Sequence, residues 1–429
     1  MVRPPLRCVP AVALVVVVVW LGLAAAGGSR GSAASTTTTT STNSPEVQAG
    51  QRLPTRGPVG PTPKVRQHVP LNLVGGVITG RPILPGDFAD PFALLEPSGL
   101  FLYATNTVTA NIPVLQIPTG DIFDGNYLGD ALPTLPSWTV KGFQWAPAVW
   151  ARPDGTFVMY YATPAPSPAD GQPRRQCISR ATSDSPAGPF TDDSRGPFIC
   201  PLAQGGAIDP SVFVDHGRPE LLWKADGNCC GLPTTIYSQP LTADGLATAG
   251  PATTLITDDQ AWENHVVEGP SMVQVGSTYE LFYSANDWDT SHYSVGIALC
   301  TSVRGPCTKP LHHAWMTSAQ HYSGPGGQEF FSFRGGLWMV HHGFLPGQAG
   351  TPNGQRRLYL DLLQYKGTNP IPTRIGSQHV ASEVLRLAVE VLVPLAAVAG
   401  LAVVWLRRRR RRHRSTGFLG PPPPGPAPV

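Results

Sequence analysis

Residues 266–287, VVEGPSMVQVGSTYELFYSAND, read as a strand, a tight turn and a second strand. Val273 and Val275 alternate with polar neighbours, Gly276-Ser277 supplies the turn, and Tyr279, Leu281 and Tyr283 alternate again on the return. Glu268 stands just before the first strand, followed by Gly269-Pro270. A carboxylate there is not a mid-strand core residue; at a strand entrance its side chain can project into a cavity.

The same arrangement recurs through the chain. DFADPFALLEPSGLFLYAT begins at Asp87, FQWAPAVWARPDGTFVMYYAT at Phe143, GAIDPSVFVDHGRPELLWK at Gly206, and GQEFFSFRGGLWMVHHGF at Gly327. Each has a small or proline-bearing entrance, a short apolar strand, a turn and a second apolar or aromatic strand. Aligned on Pro91, Pro147, Pro210 and Pro270, the steps are 56, 63 and 60 residues. A further step of about 60 lands on Phe330. Five all-β units of one period predict a five-bladed β-propeller, whose entrances face one central axis. Three of those entrances carry carboxylates: Asp90, Asp209 and Glu268. Proline and glycine make up 93 of 429 residues, which suits many short strands and excludes a helical fold.

The ends lie outside this pattern. Residues 1–26 carry Arg3, Arg7, an apolar run and Ala24-Ala25-Ala26, and read as a secretory signal, with an uncleaved anchor as the rival. Residues 27–68 are rich in Ser, Thr, Gly and Pro and cannot bury a core, so they read as a disordered linker. The propeller is expected over 69–370 and a juxtamembrane segment over 371–386. Residues 387–406 are apolar except for Glu390 and a proline, and are long enough to span a bilayer. The tail 407–429 opens with six arginines, which marks the cytoplasmic side. The expectation is a membrane protein held by its C-terminal helix, with the β domain outside the cell. The net charge of +3 does not indicate nucleic acid, because seven of the 31 basic residues lie in Arg407–Arg414 and no basic stripe remains.

Six cysteines fall in the part expected to be exported, an even number that suits an oxidising compartment. Cys300 and Cys307 flank a turn they could close, and Cys177 and Cys200 bracket another insertion. Cys229 and Cys230 would be left as an adjacent pair. The sequence by itself leaves the pairing open.

PGDFADPFAL, WAPAVW, IDPSVFVDHG and VVEGPSMV, in that order, resemble glycoside hydrolase family 43, the five-bladed propeller enzymes that act on arabinofuranosides, xylosides and related sugars. The resemblance covers essentially the whole β domain. Carried over position by position, it implies Asp90 as general base, Glu268 as general acid and Asp209 as the residue that tunes and orients the acid. These types suit inverting hydrolysis, in which one carboxylate activates water and a carboxylic acid protonates the leaving oxygen. A second carboxylate near the acid keeps it protonated near neutral pH.

Sugar rings stack on flat faces, which makes Trp145, Trp262 and Trp288 candidates for substrate binding, with blade packing as the alternative for each. His265 and His342 are candidate polar lining. Family members often carry a histidine in the fifth unit, where this chain reads Gly324-Pro325-Gly326-Gly327-Gln328. His341 and His342 are adjacent in a strand and point to opposite faces, so they cannot chelate one ion together. No cofactor is expected, with a central metal ion as the alternative. The expected partner is an oligo- or polysaccharide, with an arabinofuranoside of cell-wall or plant polysaccharide as the leading substrate. A non-catalytic sugar-binding propeller would keep the tryptophans without needing the carboxylates. Fructoside hydrolases usually open with an Asn-Asp-Pro-Asn-Gly block, absent here, and mannoside phosphorylases need basic residues near the axis.

Overall fold

The computed structural model describes residues 82–375, apart from 85, 119–123, 167–174, 367, 368 and 370, together with the strands Val47–Ala49 and Gln67–Pro70. Five antiparallel sheets follow one another along the chain. Their inner strands are Phe92–Glu96, Trp145–Ala151, Ala207–Asp215, Val267–Val275 and Ser323–Phe333. Each inner strand turns back into a second strand: Gly99–Tyr103, Phe157–Pro164, Arg218–Ala225, Thr278–Ala285 and Gly336–Phe344. Further strands extend each sheet outwards, and in the fourth sheet one strand also pairs with the inner strand. The inner strands meet in cyclic order, and the last returns to the first. This is the five-bladed propeller that the repeats predict. Helix is confined, among the described residues, to three short 3-10 turns.

The apolar core lies between blades rather than within any one of them. Leu102, Leu115, Val340 and Leu358 join blades one and five, and Phe282, Phe330, Met339 and Tyr359 join blades four and five. A blade is therefore covered on both faces, and Phe157–Pro164 is buried along its whole length. The strand Arg357–Gln364 shows the consequence. Leu358 faces the cluster shared with blade one, while Tyr359 and Leu363 face the one shared with blade four.

One backbone feature marks every unit. Asp90, Ala146, Asp209, Gly269 and Gly327 all have a left-handed φ, between 42° and 57°. Their spacings are 56, 63, 60 and 58 residues. In blades two to five this residue lies within a break of the hydrogen-bond register between inner and second strand. The break tips the chain so that side chains beside it aim at the axis. It also corrects the alignment of the repeats. The fifth unit is in phase at Gln328 rather than Phe330, and Glu268 stands one residue before the position that Asp90 and Asp209 occupy.

The cysteines pair as Cys177–Cys200, Cys229–Cys230 and Cys300–Cys307. Within the stretch read as a linker, Val47–Ala49 pairs with the fourth inner strand and Gln67–Pro70 with Asp124–Asp130. Beyond residue 370, Thr373–Ile375 adds an outer strand to blade five. The expected signal segment, membrane span and basic tail lie outside the described residues. Among those described, no helix is long and apolar enough to cross a membrane.

Candidate active site

A cavity of about 540 Å³ opens at the end of the propeller where the inner strands begin. Asp90, Asp209 and Glu268 all line it, from blades one, three and four. Trp145 and Trp288 line it too, as does Phe143. Phe143 and Trp288 are about half exposed, 50% and 51%, so flat apolar faces are open to a ligand.

Asp90 is held by three side chains. Thr105 Oγ1 donates to Oδ2 at 2.6 Å, and Arg356 Nη1 lies 3.2 Å from both carboxylate oxygens. His342 Nδ1 accepts the Asp90 N–H at 3.0 Å and stands 3.2 Å from Oδ1. Burial pushes the Asp90 carboxyl up, but the Arg356 guanidinium, then His342 and Thr105, outweigh it. The carboxyl is held well below the usual carboxylate range. Asp90 is thus a carboxylate that stays ionised in a buried place.

The opposite wall carries the reverse arrangement. Asp209 Oδ2 accepts the Gly269 N–H at 2.8 Å. Burial, then the charge of Glu268, push Asp209 up to about 8, against the pull of Lys224. Glu268 accepts from Tyr293 Oη at 2.7 Å on one oxygen and from Lys224 Nζ at 2.7 Å on the other. Lys224 also stands 3.3 Å from Asp226. The Tyr293 ring stacks on His342 with centroids 5.8 Å apart, which links the two walls through one pair of rings.

The family profile described as "Glycosyl hydrolases family 43" matches residues 79–369. The chain belongs to glycosyl hydrolase family 43. Two curated relatives are similar to it. A probable arabinan endo-1,5-alpha-L-arabinosidase A of Aspergillus clavatus is 24% identical over 265 residues, covering 57% of this chain and 78% of that protein. The beta-D-galactofuranosidase xynD of Aspergillus niger is 22% identical over 300 residues, covering 63% and 81%. Among solved structures, a thermostable family-43 glycoside hydrolase superposes with a TM-score of 0.56 at 24% identity, covering 72% of this chain and 99% of that one.

Within this family 43 site, not every residue singled out in the sequence reaches the cavity. Trp262 packs against Tyr283 and donates to Gln260 Oε1 at 2.6 Å, so it belongs to blade packing. His265 follows a 3-10 turn with its side chain 92% exposed, beside Asp258, and does not line the cavity. His342 is wholly buried behind Asp90 and supports that carboxylate rather than lining the cavity.

Gly327 leaves no room for a side chain. A Cβ there would lie 2.7 Å from His342 Nδ1 and 3.0 Å from Asp90 Cα, so no side chain fits. His342 Nε2 is buried without a hydrogen-bond partner. Yet among the described residues no three His, Cys, Asp or Glu side chains come together as a metal-binding group. One imidazole nitrogen is not the oxygen-rich donor set a hard cation takes. The residues present do not fit a resident ion, and no step is routed through one.

The sequence reading missed Thr105, Lys224, Asp226, Tyr293 and Arg356. One signal for Lys224 was available: a lysine inside the apolar run LLWKA is fully buried only when paired. Tyr293 and Arg356 come from outside the repeated strand pair and carry no pattern.

Proposed function

We propose that this family 43 protein hydrolyses O-glycosidic bonds with inversion, using Asp90 as general base and Glu268 as general acid, with Asp209 tuning and orienting the acid. The observation that carries the reading is the opposite electrostatic treatment of Asp90 and of Asp209, which flanks Glu268 on the same cavity. Groups whose environments push their proton affinities apart are the natural base and acid of such a reaction. Asp90, kept ionised by Arg356, takes a proton from water as the water oxygen attacks the anomeric carbon. The bond to the leaving oxygen breaks, and Glu268 gives that oxygen its proton. Asp209, the residue that tunes the acid, is itself pushed up to about 8 by burial and by the charge of Glu268. Phe143, Trp145 and Trp288 offer faces for sugar rings.

The substrate class is an arabinofuranoside or a related furanoside. In support, the two curated relatives are named for an arabinan and a galactofuranoside activity. The apolar stretch 387–406 and the arginines after it support a protein anchored at its C-terminus with the propeller outside the cell. Protease added to intact cells should then remove the propeller and spare the tail.

A screen of the purified protein against nitrophenyl furanosides and pyranosides tests the substrate. Proton NMR during the first turnovers tests the stereochemistry. The expected result is preference for an arabinofuranoside and a first-formed product of inverted anomeric configuration. A retained anomer would overturn the mechanism, and sugar binding without hydrolysis would favour a lectin-like propeller.

A further inference from the structure

Lys224 is 0% exposed, at the second-strand position that faces the break in blade three. The same position is held by Ala162, Ser284 and His342 in blades two, four and five. In blade one Thr105 serves it, its N–H bonded to Ala89 O. Two of these, Thr105 and His342, grip Asp90. Lys224 grips Glu268 across the blade boundary, and Asp226, two residues on, holds the ammonium from the other side. A buried lysine is stable only when its charge is matched. Here three carboxyl groups, Glu268, Asp226 and Asp209, surround it.

We propose that Lys224 is a positioning residue for the acid: it fixes the orientation of Glu268 and, balanced by Asp226, sets the pH at which the acid pair loses its proton. The inference rests on the reading of Glu268 as general acid. The other groups facing this cluster are Tyr293 on Glu268, Arg175 near Asp226, and Asp90 near Asp209 and Tyr293. Asp90 carries its own counter-charge in Arg356. Within the cluster Lys224 is therefore the cation that directly opposes the mutual repulsion of the carboxylates. An opposite charge this close lowers a carboxyl's proton affinity, and a like charge raises it. Removing the ammonium should make the acid hold its proton to higher pH. Removing the Asp226 charge should do the reverse, because Lys224 then acts on Glu268 and Asp209 alone.

The experiment compares pH profiles of kcat/KM for the full-chain protein with methyl α-L-arabinofuranoside as probe, an unactivated glycoside whose leaving oxygen needs the acid's proton. Lys224→Met should move the basic limb up by about 1–3 pH units. Asp226→Asn should move it down. Lys224→Met/Asp226→Asn, which keeps the net charge and guards against a single variant that fails to fold, should lie between them. The apparent melting temperature against pH gives a readout without turnover. Raised proton affinities in the fold mean stability present at acid pH and lost as pH rises, so Lys224→Met should fall behind wild type increasingly toward alkaline pH. A loss equal at all pH values, with unmoved basic limbs, would reduce Lys224 to a packing residue and overturn the inference. If Glu268→Gln is as active as wild type on a poor leaving group, the acid assignment itself falls instead.

Discussion

Asp90 concentrates the logic of the site in one residue. Its left-handed backbone turns it toward the axis, and its carboxylate is the meeting point of Thr105, His342 and Arg356. Arg356 reaches it from outside the repeat while its guanidinium lies 4.8 Å over the Trp288 ring. One arginine thus ties Asp90 to an aromatic wall of the cavity. Since Arg356 favours the ionised form, Arg356→Met should raise the proton affinity of Asp90. The acid limb of the kcat/KM profile should then move to higher pH, where wild type stays active. On the other wall, Asp209→Asn removes the ionisable carboxyl beside Glu268. Its basic limb should move down from the region of about 8 where Asp209 now holds a proton. Both shifts are read from the same rate measurements across pH.

At the scale of the element, the strand entrance is the device that makes the propeller into a site. Its left-handed position is held by Asp, Ala or Gly and costs a non-glycine residue about 1–2 kcal/mol in general. Gly327→Ala should therefore destabilise the fold by at least that much and lower activity, since its Cβ would push on His342 and Asp90. Thermal melting and a rate assay check both. Glu280 in Thr278–Ala285 makes a separate case. Burial pushes it up to about 8, and one of its oxygens has no hydrogen-bond partner while Tyr365 donates to the other at 2.7 Å. Stability tied to its proton is present below its unfolded value of about 4.3 and is lost as pH rises through its folded value. Glu280→Gln should flatten that loss and melt higher than wild type at pH 9. What was legible in the sequence follows from these elements. Four entrances announce themselves as Asp-Pro, Ala-Pro, Asp-Pro and Gly-Pro, so the period and the lining carboxylates could be read. The fifth, Gly327-Gln328, lacks the proline, and its phase was missed by two residues. Of the second-strand supports, His342 reads in the sequence as polar lining rather than as a support of Asp90, and Lys224 does not stand out because those strands are covered on both faces. Lys224 sits among apolar residues with no alternation to set it apart.

On the scale of the whole molecule, the first and last blades meet at the active site. Ile83 N–H bonds Leu358 O, Phe88 N–H bonds Arg356 O, and Arg356 N–H bonds Asp87. The apolar cluster of Leu102, Leu115, Val340 and Leu358 lies at the same seam, and so do the contacts of Asp90 with His342 and Arg356. Closing the ring and assembling the surroundings of Asp90 are one event. Leu358→Ala should cost about 2–5 kcal/mol, as large-to-small changes in a packed core do. Activity should disappear together with the folded signal in denaturant rather than after it. Activity that outlasts the loss of tertiary structure would separate the two.

The division of labour between Asp90 and Glu268 is tested most directly by the leaving-group dependence of two variants. Glu268→Gln keeps the shape but cannot donate the proton, and general acid help is typically worth about 10²–10⁴-fold. Its rate should fall by that order on an unactivated glycoside and far less on a nitrophenyl glycoside, whose phenolate leaves without protonation. Asp90→Asn should fall on both alike, because water must be activated whatever leaves, and azide should not rescue it with retention. Equal slowing of both substrates by Glu268→Gln, or wild-type activity in Asp90→Asn, would contradict the assignment.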